Sequence, residues 1–235
     1  MNSRAWHGRI KNMEYTLNRS RRRTLALYIR DGGVEVRAPM KMPKQDIDRF
    51  VASKDKWIKA RLEKSRIQAE RRETFSLYYN DTILFRGEPH QIVAKNSRHA
   101  GIDGECFYMP PALSPDLIKS TCVRIYRDAA KNYLTERTFD IARIMSAKPA
   151  GVRISGAKTR WGSCSAKKNI SYSWRLMMAG DEVIDYVIVH ELAHLAQMNH
   201  SARFWRIVAT VLPDYALRKA RLKELQKKLG DEDWG

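Results

Sequence analysis

The run His190-Glu191-Leu192-Ala193-His194 lies inside Val183–Trp205, a segment apolar on nearly every side, and it constrains the chain more than any other stretch. Wound as a helix, it sets His190 and His194 about 40° apart in azimuth and about 6 Å apart in rise, so both imidazoles face one ion. That geometry suits Zn²⁺, which accepts imidazole readily and in catalytic sites takes three protein groups while leaving a position for water. Glu191 stands about 100° around the same turn, where a carboxylate can take a proton from that water. Val183, Ile184, Tyr186, Val187, Ile188, Val189, Leu192, Leu195 and Ala196 make the pattern of a helix buried in a core. Two histidines and a glutamate are costly to bury there unpaired, and a metal removes the cost.

A third ligand needs the helix to end, because continuing it to His200 would turn that residue about 240° away. Asn199 is the residue best suited to a left-handed cap that folds the chain back. The histidine spacing equals that of the metzincin pattern, but Gln197 replaces its glycine and no methionine follows Met198 to make a Met-turn. Asp214 and Glu224, the next carboxylates, are poorer candidates. The expected set is therefore His190, His194 and His200 as ligands of Zn²⁺, with Glu191 as the catalytic base. A purely structural zinc site is usually closed by a fourth protein ligand, often cysteine. The sequence has no Cys-x-x-Cys pair, and Cys164 could close the site only by a tertiary approach.

The stretches Arg160-Trp161-Gly162-Ser163-Cys164-Ser165, Trp174-Arg175-Leu176, Asp185 to His194, Asn199-His200-Ser201 and Phe204-Trp205, with Pro213 and Tyr215 beyond, resemble the YgjP-like family of predicted zinc metallopeptidases. That family is related to the SprT-like proteases within the zincins. The resemblance covers most of the chain, with Gly180 standing where a proline is expected ahead of the helix. It implies an α+β fold: a zincin-like catalytic domain with the HExxH helix beside a small antiparallel sheet, preceded by a β-rich region. It also implies that one sheet edge pairs with an extended substrate peptide by strand addition.

A chain of 235 residues with 43% hydrophobic content can bury a real core. The 44 Lys and Arg against 26 Asp and Glu give a formal net charge of +18, which favours anionic partners such as nucleic acid, nucleotides or acidic protein surfaces. Cys106, Cys122 and Cys164 are scattered and odd in number, as for reduced thiols. Met1 to Lys11 contains no apolar signal core and no run approaches a membrane span, so a soluble, cytoplasmic protein is expected. Oligomeric state is not encoded in any visible pattern.

In chain order, residues 14–17 and 24–29 read as strands, with Asp31-Gly32-Gly33 turning into Val34-Glu35-Val36. Arg19 to Arg23 forms a basic loop that suits solvent or phosphate. Residues 44–72 carry Ile47, Phe50, Val51, Trp57, Ile58 and Leu62 at helical spacing, with the aromatics expected in the core. Strands follow at 82–85, 88–93 and 106–109, separated by Arg86-Gly87 and a polar stretch over 95–104. His90 and His99 are assigned no role. Pro110-Pro111 divides a basic β-rich region with one amphipathic helix, 1–110, from a catalytic domain, 111–235. Within the latter, Ser114 caps a long helix to about Met145, and residues 152–159 and 170–177 read as a hairpin beside the metal helix. Helices over 201–212 and 216–230 complete it.

Three functions are compatible with this reading. The first is a zinc peptidase in which Glu191 takes a proton from water and returns it to the leaving amine. Tyr186, Tyr215 and Arg160 are eligible to stabilise the oxyanion, and Asp185 to accept a histidine N–H. The second is a zinc phosphohydrolase or pyrophosphatase acting on nucleotides, with Arg19 to Arg23 and Arg160 holding an anionic substrate. The third is a nucleic-acid-binding module with structural zinc.

Overall fold

The computed structural model describes residues 6–10, 13–30, 32–104 and 106–235. It is a mixed α+β structure that divides into two compact units, Met1–Phe75 and Ser76–Gly235. The division falls at Phe75 and not at Pro110-Pro111. Residues 76–110 form a sheet whose buried side packs with the following long helix, so their apolar side chains belong to the second core.

In the first unit, β1 (Trp6–Ile10), β2 (Met13–Ser20), β3 (Ala26–Arg30) and β4 (Gly33–Pro39) form a sheet in the order β1-β2-β4-β3. β2 and β4 run parallel, and β3 returns antiparallel to β4 with Arg30 opposite Gly33. Asp31, in the expected turn, lies outside the described residues. Alternation on β4 buries Val34, Val36 and Ala38. Against this face pack α1 (Lys44–Ser53) and α2 (Asp55–Glu73) through Ile47, Val51 and Ile58. The single helix expected over 44–72 is broken at Lys54, which leaves helical geometry (φ −103°, ψ 9°). The break corrects the placement of Trp57: Ile58 turns inward, and Trp57, about 100° away on the helix, is 45% exposed with the Arg61 guanidinium over its ring.

The second unit begins with β5 (Thr82–Phe85), β6 (Glu88–Ala94), β7 (Gly101–Asp103) and β8 (Cys106–Met109), in the order β5-β6-β8-β7. β7 lies in the stretch read from sequence as polar loop. Arg86 and Gly87 both have positive φ, the conformation of a tight two-residue hairpin turn. Ile92, Phe107 and Met109 are buried, and Phe107 meets Tyr126 of α3 (Pro115–Ile144), whose Ser114 cap accepts from the Leu117 N–H. His90 is satisfied within this core, between Phe85 and Phe107.

β9 (Gly151–Ser155), β10 (Gly162–Cys164) and β11 (Asn169–Ser173) make a third sheet, ordered β10-β11-β9. The hairpin expected between 152–159 and 170–177 is corrected here. β9 and β11 are parallel neighbours, and the antiparallel hairpin joins β10 to β11. After Ser173 the chain leaves the sheet in a tight 3-10 turn, Trp174–Met178, and enters α4 (Asp181–Ala193). α5 (Ala202–Val211) and α6 (Tyr215–Lys228) follow. The terminal Trp234 is buried against Tyr126 and Trp174. No helix among the described residues is long and apolar enough to cross a membrane.

Candidate metal centre and active site

α4 has no side-chain cap at its N-terminus; the β5–β6 turn docks there instead. The Arg86 N–H donates to the Met177 carbonyl at 2.7 Å, the Arg86 guanidinium pairs with the Asp181 carboxylate, and Gly87 abuts the Gly180 backbone. Asp181 and Glu182 in the first turn suit the positive end of the helix dipole. Val183, Ile184, Tyr186, Val187, Ile188, Val189, Leu192 and Ala193 are all buried, which accounts for the apolar pattern. The helix thus carries His190 and Glu191 in its last turn and His194 at its C-cap.

The reversal toward His200 differs from the one expected. Regular helix ends at Ala193, and Asn199 is not among the described residues with positive φ. Asn199 acts through its side chain, whose Oδ1 accepts from Gln197 Nε2 at 2.7 Å and from the Ser201 N–H at 3.3 Å. Such an Asx-type turn reverses the chain without a left-handed residue. α5 then lays the buried Phe204 against all three imidazoles, with ring centroids 4.9, 4.6 and 4.7 Å from His190, His194 and His200. Trp205 stacks on His200 and on Tyr215. The helix expected over 201–212 contains both aromatics, but their position behind the histidines follows only from the fold.

The structure therefore brings His190, His194 and His200 together. One ring nitrogen from each lies within 4.8 Å of the others, and Nε2 of His190 is 3.0 Å from Nε2 of His200. Two nitrogens bound tetrahedrally to one zinc stand about 3.3 Å apart, so the donor set fits that ion. His194 Nδ1 faces the Gln197 carbonyl at 3.2 Å, a contact that assigns the proton to Nδ1 and leaves the Nε2 lone pair for a cation. Burial, then the neighbouring His194 and His200, pull the His190 pKa down to about 3, and burial lowers that of His194. Both rings are consequently neutral, the form that ligates. His200 is solvent-exposed, so the cluster is open on that side.

Asp185 does not support a histidine. Its carboxylate takes two hydrogen bonds at 2.7 Å from Arg137 of α3, and His190 Nδ1 is buried without a hydrogen-bond partner among the described residues. Five residues along a helix amount to about 140° of rotation, so Asp185 and His190 face different neighbours. Cys164 is not in the donor cluster, and burial pushes its thiol pKa up, away from the thiolate a metal selects. Tyr186 is buried and packs edge-on against His190, whereas Arg160 is exposed and Tyr215 is partly so.

Glu191 is 6% exposed, in contact with β10. Burial raises its pKa to about 7, and the Arg160 charge draws it partly back. A carboxyl group poised near neutrality can accept and return a proton under ordinary conditions.

The YgjP-like, metallopeptidase domain family matches residues 23–225, a span that includes all four of these side chains. The chain belongs to this family. Among solved structures, the metallopeptidase zymogen of Pyrococcus abyssi abylysin is 26% identical, with 42% of this chain and 97% of that one covered at a TM-score of 0.37. The metallopeptidase zymogen of Methanocaldococcus jannaschii jannalysin is 21% identical, with 40% and 95% covered at a TM-score of 0.35. No curated relative matches the chain.

Proposed function

We propose that the protein is a zinc metallopeptidase in which His190, His194 and His200 hold the metal and Glu191 is the general base. The observation that carries this reading is the convergence of three imidazoles, with the buried Glu191 adjacent to His190 on the same helix and beside a strand at a sheet edge. Bound there, zinc supplies Lewis acidity toward a carbonyl and toward water. Glu191 takes the proton from the attacking water and delivers it to the leaving amine, a shuttle for which its place next to His190 on the same helix suits it. β10 offers an outer side that no described strand occupies, so an extended peptide can pair with it and pass Glu191. Arg160 and Tyr215 remain the candidates for steadying the oxyanion. Free Cys106, Cys122 and Cys164 suit a reducing compartment such as the cytoplasm.

The phosphohydrolase reading is weaker. Arg19 donates Nη1 to the carbonyls of Pro39, Met40 and Met42, so this nitrogen braces its own unit's backbone instead of standing open to phosphate. The deciding experiment presents the zinc-loaded protein with casein and with a panel of nucleotides, using Glu191→Gln as the control. We expect the variant to keep its zinc and to lose peptide cleavage by at least about 10²-fold, the usual contribution of general acid–base catalysis. Phosphate release by the parent protein, lost in the variant, would overturn the peptidase assignment.

A further inference from the structure

The Arg160 charge acts on Glu191 without bonding to it. Among the described residues no hydrogen bond or ion pair holds its carboxylate, although the residue is almost wholly buried. Its place is set by the atoms packed around it. What lies against it is the backbone of β10. A Cβ placed on Gly162 would stand 2.6 Å from Glu191 Oε1, 2.7 Å from its Cγ and 2.9 Å from its Cδ. Carbon atoms in contact sit about 3.5–4.0 Å apart, so no side chain at position 162 is compatible with Glu191 as it stands.

The glycine is not required by its own backbone. Gly162 is absent from the residues with positive φ and pairs with Tyr172 in ordinary antiparallel register. Ser163 and Cys164, next on the same strand, carry side chains. What Gly162 contributes is therefore empty space on the one side where α4 presses against β10. We infer that Gly162 is a positioning residue for the general base: its missing side chain forms the slot in which the Glu191 carboxylate stands. The effect on turnover rests on the peptidase reading above; the slot itself does not.

The contact with Cγ determines what a methyl group would do. A clash at the carboxylate oxygen alone could be relieved by turning the last torsion, but Cγ moves only by rotation about Cα–Cβ, which swings the whole carboxyl group to another rotamer. Displacing a catalytic group by about 1 Å can cost about 10²-fold in rate. The three atoms nearest the added methyl all belong to Glu191 and none to a histidine, so the first group to give way is the carboxyl side chain.

The test is Gly162→Ala in the full chain, studied with Glu191→Ala and the double variant. Zinc content is measured by elemental analysis, kcat and KM on a peptide that the parent cleaves, thermal midpoints on all four proteins, and the Glu191 rotamer by crystallography. We expect Gly162→Ala to bind zinc as the parent does, with KM within about threefold and kcat lower by about 10²-fold. Any loss of thermal stability should be smaller when Glu191 is already alanine, because the clashing atoms are gone. This coupling is read even if the single variant folds poorly. A kcat within about threefold of the parent with zinc retained, equal destabilisation in both backgrounds, or an unmoved Glu191 beside a displaced β10 would each overturn the inference. If the zinc-loaded parent cleaves no peptide, the peptidase reading falls, while the stability coupling and the rotamer still decide the slot.

Discussion

Gly87→Ala tests how the β5–β6 turn seats the helix that bears the site. Two costs add at this position. Gly87 has φ +86°, a conformation that costs an alanine about 1–2 kcal/mol. Its added Cβ would also lie 2.8 Å from Gly180 Cα and 3.1 Å from Gly180 N, backbone atoms at the start of α4 that cannot rotate aside. Restoring normal contact needs a shift of roughly 0.8 Å between turn and helix, and overpacking of this kind costs about 1–3 kcal/mol. The total is about 2–5 kcal/mol, or a fall in melting temperature of roughly 5–15 °C for a unit of this size. Gly104→Ala supplies the control, since Gly104 has φ +59° with nothing within 4 Å of the added carbon. It should therefore show only the backbone cost. Urea denaturation of both variants beside the parent separates the two contributions. Equal losses of stability in the two variants would refute the claim that the turn bears directly on the start of α4.

Zinc should stabilise the protein by about 2.7 kcal/mol at a free concentration one hundred times its dissociation constant, and a chelator should reverse the shift. His200→Ala should lose most of that response in thermal denaturation, whereas an undiminished response would remove His200 from the ligand set. Glu232 provides a pH test away from the site. Burial raises its carboxyl pKa above the ordinary 4.5, and the Trp234 indole N–H, donating at 2.7 Å, lowers it in part. Because the folded pKa is the higher one, its contribution is fully present below pH 4.5 and is lost as pH rises through the folded value. Glu232→Gln should match the parent near pH 4 and exceed it in melting temperature near pH 8; a difference that does not change with pH would contradict this account.

Much of the centre was legible in the sequence because its geometry is local. Two histidines four residues apart share a helix face whatever surrounds them, and the apolar residues between Val183 and Leu192 require that helix to be buried. The break between strands at Arg86-Gly87 and the Ser114 cap were likewise visible, since each depends on a few neighbours. The break at Lys54 was not, because nothing in the apolar spacing of 44–72 separates one helix from two until the sheet in front of them selects Ile58 over Trp57.

Tertiary structure decided the rest. Periodicity identifies strands but not their partners, so β9 paired in parallel with β11 where a hairpin had been expected. The β5–β8 sheet joined the second unit because Phe107 finds Tyr126 across a long stretch of chain, a contact no local pattern reports. His200 was the expected third histidine, yet its return depends on the Asn199 side chain and on Phe204 behind the rings. Asp185 turned to Arg137, and the space for Glu191 came from Gly162 on another strand. Spacing within one helix turn is set by covalent geometry, whereas contacts between distant segments are settled only when competing surfaces are buried together.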